Sequence, residues 1–244
     1  RGGSVWAQAD RNWVLDGATV HVSMIAFDDG AETKRELDGH SVTQINADLT
    51  ATLDLTVSSH LQENERICFM GASPKAPFDI DESLAEQMLS TANESGRQNS
   101  DVIRPVRSGI DIVQRPRRKW TIDFGLLSEE EASRYELPYE HVQTTVYPIR
   151  STNRRPAYAK RWWQYAEARP GMRAALAELS RFIATPEVAK HRLFVWVESN
   201  VLCNQQTLVF ARDGDYFFGV LHSMPHELWA RAKGTQLREA ESGF

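Results

Sequence analysis

The apolar residues of this chain come in short runs, most of them closed within a few residues by glycine, proline or aspartate. Val20, Val22, Met24 and Ala26 alternate with His21, Ser23, Ile25 and Phe27 after the turn Leu15-Asp16-Gly17. That is the period of a strand, and its composition reads as well buried. Further strands are expected over residues 42–47 (after Asp38-Gly39), 67–70, 101–106, 120–124, 191–197, 207–211 and 216–221. Asp213-Gly214 reads as a hairpin turn between the last two. Helices are expected over 81–92 with Asp81 as N-cap, over 128–135 with a Ser128/Glu131 capping box, and over 139–147 up to Pro148. Met172, Leu176 and Leu179 repeat at helical spacing within 170–182, and Ser223 and Gly234 bracket a last helix over 224–233. Short strands mixed with short helices, without repeats or low-complexity tracts, read as an α+β fold.

Charge divides the chain more sharply than its net value of −5 suggests. Residues 1–65 hold four Lys/Arg against eleven Asp/Glu, whereas residues 97–197 hold eighteen against eleven. Within residues 97–125 lie Arg97, Arg104, Arg107, Arg115, Arg117, Arg118 and Lys119. A local excess of guanidinium groups in an acidic chain suits an anionic partner, of which a phosphate backbone is the commonest large example. The alternative is a set of solvated faces carrying chance charge. Residues 153–165 are basic and aromatic, with Arg154, Arg155, Lys160, Arg161, Trp162 and Trp163. One tryptophan is expected in the core and the other at a groove edge, where it could stack on a base or sugar.

No catalytic constellation is evident. Gly-x-Ser-x-Gly, the phosphate loop and His-Glu-x-x-His are absent, and Asp123-Phe124-Gly125 lacks the rest of the kinase pattern. His222, His226 and Glu227 lack a further ligand, so no metal site is assigned. Cys68 and Cys203 lie far apart in apolar surroundings and read as buried, reduced thiols, which with the lack of a signal peptide gives a cytoplasmic expectation. No apolar run approaches the roughly 18 residues that span a membrane, so no membrane partner is expected. The ends, Arg1-Gly2-Gly3 and Ser242-Gly243-Phe244, suggest a fragment of something longer.

An ordered set of motifs runs through the whole chain. It includes Asn99-Ser100-Asp101-Val102-Ile103-Arg104-Pro105, Gly109-x-Asp111-Ile112 and Trp120-x-Ile122-Asp123-Phe124-Gly125. Pro148-x-Arg150, Trp162-Trp163, Arg169-Pro170, residues 185–196, residues 215–223 and His226-Glu227-Leu228-Trp229 come after these in order. The set resembles the target-recognition region of MmeI-like DNA adenine-N6 methyltransferases, the type IIL restriction–modification enzymes and related phage-defence methyltransferases. Trp13 with residues 16–24 resembles the last strands of the Rossmann-like methyltransferase domain that precedes it.

The resemblance implies three parts: residues 1–57 as the end of a methyltransferase domain, 58–96 as a junction with one helix, and 97–244 as a DNA target-recognition domain. The partners implied are double-stranded DNA and the upstream methyltransferase domain. The cofactor of the parent protein would be S-adenosylmethionine, with none bound by this fragment. Its catalytic Asn-Pro-Pro-Tyr motif is not in this sequence, so the chain alone is expected to be inactive. Arg104, Arg107, Arg115, Arg117, Arg118, Lys119, Lys160, Arg161, Lys190 and Arg192 are candidates for backbone phosphates, Lys190 and Arg192 being open also to a buried ion pair. Asn204, Gln236, Arg238 and Glu239 are candidates for reading base edges, the alternative being ordinary solvated polar residues. A different class of function also fits: a protein-interaction module of a defence complex anchored by Trp162, Trp163 and Trp229.

Overall fold

The computed structural model describes residues 3–52 and 54–234. The chain divides into two compact units, 1–61 and 62–244. Gln236, Arg238 and Glu239 lie outside the described residues.

The first unit is a four-stranded sheet of order β2-β1-β3-β4. Strands β1 (Ser4–Leu15) and β2 (Ala18–Phe27) form an antiparallel hairpin through Asp16-Gly17. Both turn residues have positive φ (50° and 83°), the geometry that gives a two-residue loop the twist of its strands. β3 (Arg35–Leu37) runs parallel to β1, and Asp38-Gly39 repeats the positive-φ turn into β4 (His40–Val42). The expected strand over 42–47 is therefore shorter and earlier. Asn46 ends it by folding the chain back, donating to Thr50 Oγ1 at 2.9 Å and to the Thr52 carbonyl at 3.0 Å. β2 is not well buried either: Val20, Val22 and Met24 are half-covered, and Ile25 and Phe27 are exposed.

The second unit holds two further sheets and all the α-helices among the described residues. The elements run β5 (Cys68–Met70), β6 (Asp79–Ile80), α1 (Glu82–Ser90), β7 (Ile103–Arg107), α2 (Gly109–Val113) and β8 (Trp120–Ile122). Then come α3 (Glu129–Ser133), α4 (Glu136–Thr145), α5 (Tyr147–Ser151), α6 (Pro156–Lys160) and α7 (Pro170–Leu176). The last are β9 (Arg181–Pro186), β10 (Val195–Glu198), β11 (Leu202–Cys203), β12 (Thr207–Phe210), α8 (Asp215–His222) and α9 (Met224–Lys233). One sheet has the order β10-β9-β12-β5 and is antiparallel throughout; the other has the order β11-β7-β8-β6, with β11 parallel to β7. This is an α+β fold. Phe78, Ile122, Phe124, Val142, Val146 and Phe182 lie at the centre of a core that both sheets share.

Local signals placed helix ends well. Asp81 accepts from Leu84 N at 2.8 Å, Ser128 and Glu131 form the reciprocal box, and Ser223 caps α9, which Gly234 closes. Other expectations fail. The helix expected over 170–182 stops at Leu176, because Phe182, Ile183 and Ala184 are drawn into β9, an interior strand with all three buried. Residues 215–222 form a helix, not a strand, and Gly214 is its N-cap, not half of a hairpin turn. Phe217, Phe218 and Leu221 fall on one helical face, with Tyr216 turned to solvent, so burial period outweighs the strand preference of aromatic residues. Likewise β10 begins only at Val195. Cys203 is buried as expected, and burial pushes its thiol up to about 12. Cys68 is exposed instead, because β5 is an edge strand that turns Phe69 inward and its neighbours out.

Candidate nucleic-acid interface

The basic loop before β8 is held by a buried carboxylate. Ser108 caps α2, and Asp111 accepts hydrogen bonds from the Ser108 backbone N at 2.9 Å and hydroxyl at 2.6 Å. The same carboxylate accepts from Arg117 Nε at 3.1 Å and backbone N at 3.0 Å, while Arg117 Nη2 reaches Ser108 Oγ at 2.7 Å. Burial alone would raise the Asp111 pKa, but the bonds from Arg117 and Ser108 outweigh it and hold the carboxyl well below the usual range. Arg117 is thus a clamp, and Arg115, Arg118 and Lys119 are the exposed cations that it presents. They do not stand alone: Arg117, Arg118 and Lys119 border a shallow hollow whose other side is Asp79, Asp81 and Glu82.

The Asp111 clamp makes stability depend on pH. A carboxyl held low in the folded state adds stability above its ordinary value of 3.8 and loses it as pH falls through the folded value. The Tm of the chain should therefore fall below about pH 4. Asp111→Asn should lower Tm at neutral pH and flatten that acid limb, as differential scanning fluorimetry from pH 2 to 7 would read.

Arg104 and Arg107 lie on β7, paired in register with Thr121 and Cys203. Arg104 borders a hollow with Arg173, Ser199 and Cys203. The Arg107 carbonyl accepts from Asn204 N at 2.9 Å, which sets the 204–207 turn beside it. Asn204 is half-buried, and its Oδ1 accepts from Gln206 N at 3.0 Å to hold that turn. Lys190 is exposed, whereas Arg192 is turned inward, donating to the Leu221 carbonyl at 3.1 Å and to His226 Nδ1 at 2.6 Å. His222 and His226 pack against Phe194. Among the described residues no cluster of three or more His, Cys, Asp or Glu could hold a metal ion.

The more concentrated cationic surface lies further along. From His141 to Ala166 there is no Asp or Glu, and the segment carries Arg150, Arg154, Arg155, Lys160 and Arg161. It folds as the end of α4, then α5 and α6, with Pro148 and Pro156 each in a first helical turn. Arg154, Lys160 and Arg161 are exposed and form no ion pair among the described residues. Arg155 donates to Tyr158 Oη at 3.0 Å, and the Tyr158 ring lies 5.5 Å from the Arg155 guanidinium and 5.0 Å from that of Arg150.

Two tryptophans directly after α6 fix it in place. Trp162 and Trp163 are both buried (5% and 7% exposed), so neither is the groove-edge residue the sequence suggested. Each indole N–H has found an internal acceptor: Glu129 Oε1 at 3.1 Å for Trp162 and the Leu127 carbonyl at 2.9 Å for Trp163. Rings of Tyr139, Tyr147 and Trp163 surround Trp162 at 5.1–6.0 Å. The pair anchors the basic segment from behind.

Arg150 is the residue that sequence reasoning missed as a site residue. It is 1% exposed, donates through Nη2 to the Pro74 carbonyl and lies over the Phe78 ring. Its Nε and Nη1 have no partner among the described protein atoms. Burial pulls its pKa down. The lack of any carboxylate between Glu140 and Glu167 was the readable sign of such an unbalanced cation.

No family model matches the chain, and no curated protein matches it. Among solved structures, it is similar to the type IIL restriction–modification enzyme MmeI, determined in complex with DNA. The TM-score is 0.68 at 16% identity, over 100% of this chain and 34% of that one. The chain thus shares the fold of about a third of that enzyme.

Proposed function

We propose that residues 62–244 bind duplex DNA, with the cations of the acid-free segment that forms α5 and α6 gripping backbone phosphates. The carrying observation is the set Arg154, Lys160 and Arg161: exposed, without ion pairs among the described residues, and fixed by two buried tryptophans. Cations whose charge is not offset by the protein itself are the ones whose counterions a phosphate backbone can displace. The basic loop ending at Lys119 contributes less, because Asp79, Asp81 and Glu82 lie beside it. The fold shared with an enzyme determined in complex with DNA supports the same reading.

In the finer form of this proposal, the unit is the target-recognition domain of an S-adenosylmethionine-dependent DNA adenine-N6 methyltransferase of a restriction–modification or phage-defence system. Residues 1–57 would then be the end of its methyltransferase domain, and the exposed Phe27, Leu15 and Val14 would pack against the remainder of it. Methyl transfer would need residues beyond this chain. A recognition unit separate from the catalytic one suits the chemistry, because the duplex must be gripped before a base is extruded at a cost of a few kcal/mol. Mobility shift of short duplexes by the 244-residue chain at low salt tests the proposal. Retarded complexes are expected, and absence of any shift across a panel of random duplexes rejects independent DNA binding.

One observation favours a second reading, protein interaction. Tyr216, Met224, Leu228 and Trp229 on α8 and α9 are exposed, Trp229 at 46%. If that surface, not α5 and α6, carries the function, Leu228→Ala with Trp229→Ala will abolish partner capture and leave duplex binding unchanged.

A further inference from the structure

We infer that Arg150 and Tyr158 are positioning residues: the buried guanidinium holds the Tyr158 ring, and the ring sets the direction in which α6 presents Lys160 and Arg161. That purpose rests on the DNA-binding proposal; the lock itself rests on the geometry of α6. A helix of five residues is too short to persist by its own hydrogen bonds. α6 has no side-chain hydrogen bond at its N-cap, Arg155, and none of its residues is buried. Tyr158 and Ala159 are half-buried. The buried tryptophans hold the chain just beyond the helix, at its C-terminal end.

Tyr158 holds the helix at its middle. The Arg150 guanidinium lies over its ring, 5.0 Å from the centroid. Arg150 comes from α5 and is itself fixed on the core side: Nη2 donates to the Pro74 carbonyl, and the guanidinium lies 5.9 Å from the ring centroid of Phe78, which is fully buried. Its Nε and Nη1 have no hydrogen-bond partner among the described residues. The ring faces of Phe78 and Tyr158 therefore take on weight that hydrogen bonds would otherwise carry, and a cation over a ring is held more strongly where water is excluded. Moving Tyr158 away would strip the buried cation of one face with no water to replace it. Lys160 and Arg161 follow two and three residues later, so their direction is set by where that ring lies. A planar guanidinium can stack in this way, and an ammonium cannot.

Amide hydrogen exchange of the whole free chain tests the lock without DNA. In Tyr158→Leu the amide of Arg161, which donates to the Ala157 carbonyl at 3.2 Å, should exchange about five-fold faster, with the amides of β9 unchanged. Against a labelled duplex the same variant should bind about three-fold or more weakly. Its slope of log K against log[salt] should be shallower by up to about 1.8, the share of two phosphate contacts. A merely structural contact would lower Tm and leave that slope alone. Tyr158→Phe keeps the ring and should match the wild type in every reading. Arg150→Lys keeps the charge, loses the planar stack and should match Tyr158→Leu; because it could fail to fold, Tyr158→Leu stands as the independent arm. Wild-type exchange at Arg161 in Tyr158→Leu, or equal losses in Tyr158→Phe, overturns the lock alone. A wild-type chain that shifts no duplex overturns the DNA reading, and with it the purpose assigned to the lock.

Discussion

Asp123→Ala will lower the unfolding free energy of this chain by about 3–5 kcal/mol, the usual result of removing one partner from a buried ion pair. The Asp123 side chain is 1% exposed, and its two oxygens accept from Arg173 Nη1 at 2.8 Å and Nη2 at 2.9 Å. Oδ1 also accepts from Gly125 N at 3.0 Å, where Gly125 takes a left-handed φ of 57°. Arg173 is further fixed by donating Nε to the Ala168 carbonyl at 2.6 Å. The pair therefore ties the turn after β8 to α7, and removing the carboxylate leaves a cation that is only 20% exposed. Arg173→Met should cost at least as much, because the carboxylate it strands is the more deeply buried group. Asp123→Ala with Arg173→Met should cost less than the sum of the two single changes, the sign of direct coupling. Urea unfolding with unchanged m-values across the four proteins is the measurement.

Gly71→Ala will be comparably severe, at about 3 kcal/mol or more, the upper range for forcing atoms into a packed interior. A Cβ there would lie 2.6 Å from Asn204 C and 2.7 Å from the Cys203 carbonyl oxygen, with the Asn204 carbonyl oxygen in direct collision. Those neighbours are backbone and cannot swing aside. Their positions are set by Ala72 N donating to the Cys203 carbonyl at 2.9 Å and Gly71 N donating to the Thr207 carbonyl at 2.9 Å. Relief would have to open the 204–207 turn, which stands against Arg107 on β7. Loss of stability with a concurrent change in the environment of Cys203, read by its rate of reaction with a thiol reagent, would confirm where the damage falls. By contrast Gly214→Ala has open space around its Cβ and should change the urea midpoint little.

What was legible in the sequence was local. Caps and tight turns are decided by residues within four positions of one another, so Asp81, Ser128 with Glu131, Ser223 and Asp16-Gly17 fell where the sequence placed them. The failures needed tertiary partners. Phe182 and its neighbours continue a helical spacing but are buried on β9, between β10 and β12. Phe217 and Phe218 have strand-like composition, yet their packing against Phe210 and Trp196 suits a helix. The site divides the same way. The excess of cations over 97–197 is plain in the sequence. Which of them are engaged internally is not, since Asp111 and Arg117 become a clamp only when the α2 cap brings them together. Arg150 was readable as part of Pro148-x-Arg150 and as a cation in a segment without carboxylates, but arginine is almost never fully buried, so its burial was not.

The salt dependence of duplex affinity tests the central claim most directly, by fluorescence anisotropy of a labelled duplex against the wild-type chain and the triple variant Arg154→Gln, Lys160→Gln, Arg161→Gln. Each phosphate contact removed should make the slope of log K against log[salt] shallower by about 0.9. A surface in which all three side chains grip the backbone predicts a slope shallower by roughly 2.7 and weaker binding at every salt concentration. A folded triple variant that keeps the wild-type affinity and slope would contradict the assignment of α5 and α6 as the DNA-gripping surface.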